Sequence, residues 1–388
     1  MNRQVVDLMK RAISLLLAAA CATAFPCFAS ADAAPGISAK SAVVASADGK
    51  YVLYEKNPHD RLPIASTTKI MTALLTLEAA ARNDRTVLVT PEMVRVEGSS
   101  MGLKAGDRLT LTSLAEGMLL ASGNDAATAA AIAVGGSVGS FALLMNRKAK
   151  ALGLGDTHYV TPSGLDDDRH YSSAYDLAIL TAAAMKNPVF SQIVSRRKMR
   201  VRFLQPVRTV TYTNHNKLLG MYSGCIGVKT GYTKKSGRCL VSAAQRNGVR
   251  LISVTLSDPD DWRDHEKLLD YGFSRLTSVC FDDSDYAASL PVVGGALAGV
   301  PVTGSNGGTA VLPAEDAQGM RRTVELPPFV YAPVSKGQVL GRIRYSNARG
   351  TVASTELSAA GAVGRPEGKK NFFQKIWDRI RPLFRSGG

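Results

Sequence analysis

The chain has 388 residues and a formal net charge of +15, with 45% hydrophobic and 20% charged residues. That balance excludes a disordered or low-complexity chain. The length exceeds what one compact domain usually holds, so at least two are expected.

The first 33 residues read as a secretory leader. Arg3, Lys10 and Arg11 make a basic start, and Ala12 to Phe25 form a short apolar run. The small residues of FASADAA then place cleavage after Ala31 or Ala33. The run is short for a membrane span. Export argues against nucleic acid as the partner behind the positive charge. Anionic lipids and wall polymers are the acidic surfaces outside the cytoplasm. Losing the leader removes Cys21 and Cys27 and leaves Cys225, Cys239 and Cys280. An odd number gives no complete disulfide framework. Their default role is as small buried hydrophobes, with a Cys225–Cys239 bond left open.

Val43 to Tyr54 reads as a hairpin turning at Asp48-Gly49. In IASTTKIMTALLTLE, Ile70, Ala73, Leu74 and Leu77 recur at helical spacing, with Ser66 near the first turn. The stretch LTLTSLAEGMLLASGNDAATAAAIAV reads as helix, break, helix. Ser113 and Glu116 have capping-box spacing, Ser122-Gly123-Asn124 interrupts the pattern, and the second helix starts near Asp125. In SRRKMRVRF, Met199, Val201 and Phe203 alternate with Lys198, Arg200 and Arg202. This predicts a strand with one basic face, either solvated or in contact with an anionic wall polymer. After Gly224 the period becomes two. Three antiparallel strands follow, turning at Lys235-Ser236-Gly237 and at Asn247-Gly248. A helical pattern returns at DHEKLLDYGFSRL. Residues 283–362 are short apolar runs punctuated by Gly and Pro, as in a small all-β domain. Residues 363–388 read as a linker and a helix with Phe372, Phe373, Ile376, Trp377, Ile380, Leu383 and Phe384 on one face. Lysines and arginines surround that face, the pattern of a helix lying in a membrane interface. Pro382 would kink its last turn.

Three short stretches carry chemistry. Ser66 and Lys69 lie three apart, on one helix face. A serine hydroxyl needs a base. A lysine serves as that base only if burial and a helix N-terminus lower its pKa. Ser122-Gly123-Asn124 sits at a break between helices, where side chains can project into a cleft. Lys229-Thr230-Gly231, followed by Tyr232, sits on a strand. Two lysines near one serine favour an anionic chain terminus and disfavour each other's charged form. S-x-x-K, S-D-N and K-T-G together mark penicillin-recognising serine enzymes, and all three elements occur here in order, with Gly123 in the aspartate position.

With ASTTKIMTALL, LLASGNDAA, TPSGL and GVKTGYTKKSGRCLVSAA, the sequence resembles the D-alanyl-D-alanine carboxypeptidases, the low-molecular-mass penicillin-binding proteins. The likeness runs over nearly the whole chain. It implies an α/β (α+β) serine β-lactamase/DD-peptidase-like catalytic domain over residues 34–280, with an antiparallel sheet flanked by helices. An all-β stalk over 283–362 and an anchor over 363–388 would follow. It implies Ser66 as nucleophile, Lys69 as base, Ser122 as proton relay and Asn124 as holder of Lys69 and the substrate amide. Lys229 and Thr230 would bind the terminal carboxylate, and the Gly231 strand would pair with the substrate. The Ser66 and Tyr232 N–H groups would form the oxyanion hole. Arg238 or Arg263 could assist with the carboxylate, or serve as surface ion-pair residues.

The resemblance implies peptidoglycan stem peptides as substrates and β-lactams as covalent inhibitors. The tail adds an anionic membrane surface, which places the protein on the outer face of the cytoplasmic membrane. No cofactor is expected. The five histidines show no zinc spacing, and Asp166 to Asp168 read as capped turns at a helix entry rather than a metal site. The competing functions are a β-lactamase, a DD-endopeptidase and a non-catalytic penicillin sensor.

Overall fold

The computed structural model describes residues 33–366 and Ile376. The leader up to residue 32 and all of the tail helix but Ile376 lie outside the described residues.

The chain enters through β1 (Ser41–Ser46) and β2 (Val52–Lys56), the expected hairpin. A 3-10 turn over Ala65–Thr68 runs into α1 (Lys69–Arg82). The short strands β3 (Thr86–Leu88) and β4 (Arg108–Thr110) pair before α2 (Leu111–Leu120) and α3 (Asn124–Gly135). The cap of α2 is Thr110, whose hydroxyl accepts from the Ser113 N–H, so the helix starts a turn before the expected Ser113–Glu116 box. Helices α4 (Val138–Ala151), α5 (Ala174–Met185) and α6 (Pro188–Val194) each begin behind a side-chain cap, Ser137, Ser173 and Asn187.

Strands β5 (Lys198–Leu204) and β6 (Val207–Thr213) form a separate hairpin. Val201 and Phe203 are buried, and Lys198, Arg200 and Arg202 are exposed, the alternation read from the sequence. A single turn, α7 (Leu218–Met221), precedes β7 (Cys225–Thr233), β8 (Gly237–Arg246) and β9 (Val249–Leu256), then α8 (Asp261–Arg275). The hairpin between β8 and β9 turns through Asn247 and Gly248, both with positive φ (47° and 81°), as a two-residue turn requires.

The central sheet has the order β2-β1-β9-β8-β7 and is antiparallel throughout. All six residues of β1 are buried, because helices cover both faces of the sheet there. Val44 packs with Leu268 of α8, and Val43 belongs to the larger core shared with α1, α2 and α5. β7 stands at the sheet edge, and its face at Gly231 packs against the 3-10 turn.

The remainder is β-rich. Strand β10 (Leu276–Asp282) spans the expected junction and pairs with β13 (Asn306–Pro313). Between them run β11 (Ala287–Val293) and β12 (Gly299–Gly304). After the single turn α9 (Ala314–Ala317) come β14 (Arg321–Glu325), β15 (Val330–Tyr331), β16 (Val339–Asn347) and β17 (Gly350–Ala359). A six-stranded sheet of order β14-β16-β17-β12-β11-β15 encloses its own core of Leu290, Val300, Val302, Ile343 and Leu357. The architecture is thus an α/β region, its antiparallel sheet flanked by helices, with a small all-β C-terminal domain.

Among the described residues, Cys225, Cys239 and Cys280 are all free. The β7–β8 register pairs Cys225 with Ala244 and Cys239 with Gly231, too far apart along the ladder to be bridged. Cys239 is buried as expected, Cys225 is half-buried, and Cys280 is exposed on β10, contrary to the buried role.

Candidate active site

A cleft of about 610 Å³ opens between the 3-10 turn, the outer edge of β7 and the break between α2 and α3. The three sequence elements meet there. Ser66 comes from the 3-10 turn, Ser122 from the break, and Thr230, Gly231 and Tyr232 from β7. Backbone strain marks two of these entries. Ala65, just before Ser66, and Ser122 itself have positive φ (44° and 57°), a conformation that costs roughly 1–2 kcal/mol for a residue with a Cβ.

Lys69 is fully buried and its Nζ has three partners. They are Ser66 Oγ at 2.9 Å, Asn124 Oδ1 at 2.7 Å and the Ser163 carbonyl at 2.8 Å. Burial first, and then the charge of Lys229, hold its pKa well below the usual lysine value, while Asp125 pulls the other way. The partners then decide the direction of each bond. The Ser163 carbonyl can only accept. Asn124 gives its Nδ2 to the Glu97 carbonyl at 2.5 Å, which leaves its Oδ1 as an acceptor. A neutral amine has two N–H groups for these two oxygens. In that neutral form the lone pair would face the Ser66 hydroxyl, 2.9 Å away.

Lys229 is buried beneath the cleft, and burial pushes its pKa down to about 7. It donates to Ser122 Oγ at 3.1 Å and to the Thr230 carbonyl at 2.8 Å. Ser122 therefore accepts from Lys229 and keeps its own proton for a group in the cleft. Gly231 brings β7 against the nucleophile's turn. A Cβ there would lie 3.0 Å from Ser66 N and from the Ile64 carbonyl. Gly123 is similarly confined: a Cβ would meet Asp125 Oδ1 at 2.7 Å and Met101 N at 3.0 Å. That close approach leaves no room for a side chain in the middle of the Ser-Gly-Asn element.

The two arginines separate. Arg238 lines the cleft while its guanidinium pairs with Asp261 at 2.6 Å and lies over Trp262. Arg263 is exposed in the first turn of α8 and is not among the side chains lining the cleft. In the Asp166–Asp168 triplet, Asp166 accepts from Thr233, Asp167 closes its own turn on Arg169, and Asp168 pairs with Lys235. The triplet therefore braces the far end of β7 as well as making turns.

Other participants carried no signal in the sequence. His215 lines the cleft, its pKa lowered by burial and by the charges of Lys229 and Lys69. Asp125 accepts from Ser100 Oγ and from the N–H groups of Met101, Gly102 and Leu103, which fastens the loop that forms the cleft wall. Only their place in the fold reveals these roles.

Comparison with known proteins follows the same lines. A family model described as Peptidase_S11, D-alanyl-D-alanine carboxypeptidase, matches residues 28–260. The D-alanyl-D-alanine carboxypeptidase DacF of Bacillus subtilis is 34% identical over 315 residues, covering 79% of this chain and 80% of that protein. DacC of Escherichia coli is 31% identical and covers 90% of each chain. Among solved structures, penicillin-binding protein 5 from Haemophilus influenzae superposes with a TM-score of 0.63 at 28% identity, covering 86% of this chain and all of that one.

Proposed function

The chain belongs to the D-alanyl-D-alanine carboxypeptidase family of serine peptidases, and from that premise we propose how its residues divide the reaction. The observation that carries the assignment is the seat of Lys69, fully buried with its Nζ 2.9 Å from Ser66 Oγ and held by Asn124 Oδ1 and the Ser163 carbonyl.

The Ser66 proton passes to Lys69, and Ser66 Oγ attacks the carbonyl between the two D-alanines of a peptidoglycan stem peptide. Negative charge collects on that carbonyl oxygen, in reach of the Ser66 and Tyr232 N–H groups. As the C–N bond breaks, the leaving amine takes a proton through Ser122. D-alanine departs, and water hydrolyses the ester on Ser66. The substrate lies along the free edge of β7 as an added antiparallel strand. Its terminal carboxylate meets the Thr230 hydroxyl and the charge of Lys229, and its amide meets Asn124. Arg238 contributes positive potential that Asp261 partly neutralises. A β-lactam presents the same carbonyl and carboxylate, acylates Ser66 and leaves slowly.

We place the enzyme outside the cytoplasmic membrane. The leader-like composition of residues 1–33 and the amphipathic, basic composition of 363–388 support export and attachment to an anionic membrane surface. The all-β domain then serves as a stalk between anchor and cleft.

D-alanine release from a stem pentapeptide analogue, by wild type beside Ser66→Ala, tests the reading. Release by the wild type alone is expected. A folded wild type that releases none overturns it. Rapid penicillin hydrolysis then points to a β-lactamase, stable penicillin binding to a sensor, and cleavage of cross-linked dimers to an endopeptidase.

A further inference from the structure

His170 is 4% exposed and lies outside the motifs assigned above. Its Nδ1 faces two donors, the N–H groups of Val160 at 3.0 Å and Thr161 at 3.2 Å. Backbone N–H groups can only donate, so Nδ1 accepts and the ring proton sits on Nε2. That proton is donated to Thr68 Oγ1 at 2.8 Å. One neutral ring thus ties the 160–164 loop to Thr68, the residue just before Lys69.

The loop is held to α1 at one further point, where Thr72 donates to the Pro162 carbonyl at 2.6 Å, and it closes on itself where Gly164 N donates to Thr161 Oγ1 at 3.1 Å. Gly164, at a φ of +84°, lies so close to the 3-10 turn that a Cβ would fall 1.8 Å from the Ala65 carbonyl. Between these points sits the Ser163 carbonyl, one of the two acceptors that orient Lys69.

We propose that His170 is a positioning residue for acyl transfer, fixing the Ser163 carbonyl so that Lys69 turns its lone pair toward Ser66. This rests on the reading of Lys69 as the base. The ring works only when neutral, since protonation would set an Nδ1–H against two N–H donors. Burial lowers its pKa to about 4. The titratable groups around it are Asp167, which opposes that shift, His158, which adds to it, and Tyr159, whose ring meets it edge-on.

The test is acylation by a fluorescent penicillin across pH. It is resolved into the noncovalent dissociation constant and the acylation rate constant, for wild type, His170→Gln, His170→Asn and Lys69→Ala. His170→Gln keeps a donor near Thr68 and loses the acceptor for the loop. Its acylation rate constant is expected to fall about 10- to 100-fold, with the dissociation constant unchanged. Because burial is the main cause of the lowered Lys69 pKa, a loosened loop that admits water moves the acid limb of the profile to higher pH. His170→Asn keeps an acceptor near the Nδ1 position but loses the donor to Thr68, so it opens the clamp at its other end and is expected to slow acylation in the same way, with the dissociation constant unchanged.

A folded His170→Gln with the wild-type rate and profile overturns the proposal. So does a loss of rate and binding together with an unmoved limb. If His170→Gln does not fold, Thr68→Val severs the other end of the clamp and is held to the same criteria. Lys69→Ala acylating at the wild-type rate removes the base reading, and this proposal with it. A wild type that forms no acyl-enzyme removes the proposed function itself.

Discussion

Gly231→Ala adds one methyl group where β7 packs against the nucleophile's 3-10 turn. Its carbon would stand 3.0 Å from both the Ile64 carbonyl and Ser66 N, and 3.1 Å from Thr67 N. Ordinary carbon–heteroatom contact begins some tenths of an ångström further out, so β7 and the 3-10 turn must separate. All three neighbours are backbone atoms, and none can swing aside as a side chain could. Overpacking of this kind costs about 1–3 kcal/mol of stability. For a region of this size that lowers Tm by roughly 2–4 °C per kcal/mol. The larger effect falls on the reaction, because Ser66 N is one of the two proposed oxyanion donors. Removing one such donor costs about 100- to 1000-fold in rate, and displacing it without removal should sit near the lower figure. The expected result is penicillin acylation slowed about 100-fold in a protein that still unfolds cooperatively. Stopped-flow acylation and thermal unfolding on the same preparation measure both. Acylation within threefold of wild type would refute the argument, since it would mean that the Ser66 N–H does not face the reacting carbonyl or that the turn yields freely.

Acid stability follows from His265, fully buried between Ser242 Oγ at 2.6 Å and Thr255 Oγ1 at 3.0 Å, with burial pushing its pKa to about 3. Below the unfolded value near 6.5 the unfolded chain binds a proton that the folded chain refuses. Stability is therefore full above that pH and falls as pH drops toward 3, at roughly 1.4 kcal/mol per unit. Chemical denaturation across this window should show the slope, and His265→Gln should reduce it by about one proton; an unchanged slope sinks the assignment. In the C-terminal domain, the Asp283 carboxylate accepts from Arg322, Tyr345 and Thr355. Asp283→Ala strands those donors and should lower the stability of that domain by about 3 kcal/mol, with penicillin acylation at the wild-type rate. Loss of acylation would show that the cleft depends on the stalk.

The cleft was legible where the chemistry demands a residue type at a fixed spacing. Ser66 and Lys69 share a helical face, and the Ser-Gly-Asn and Lys-Thr-Gly stretches fall at breaks in hydrophobic pattern. What escaped was of two kinds. The carbonyls of Ser163 and Glu97 orient Lys69 and Asn124, yet a backbone oxygen leaves no mark on the residue that carries it. His215, Trp262 and Asp125 reach the cleft or its wall from segments whose local pattern says nothing of where the chain turns back. The expected helix cap fell one turn late because serine is by itself the better N-cap of the two, whereas the end of β4 places Thr110 at the helix start. Cys280 is exposed because β10 pairs with β13 alone, a partnership of distant strands that no local window contains.

The two lysines buried around the serines also have a cost outside the reaction. An aliphatic side chain of similar length would fill either position without surrendering its hydration, and the protein would be firmer for it. Together with the left-handed backbone at Ala65 and Ser122, they make the cleft a standing thermodynamic handicap, with the surrounding helices and sheet as its counterweight. Selection for heat tolerance alone, with no demand on turnover, should therefore erode these positions first, and an unusually robust descendant of this enzyme should be suspected of having lost its chemistry.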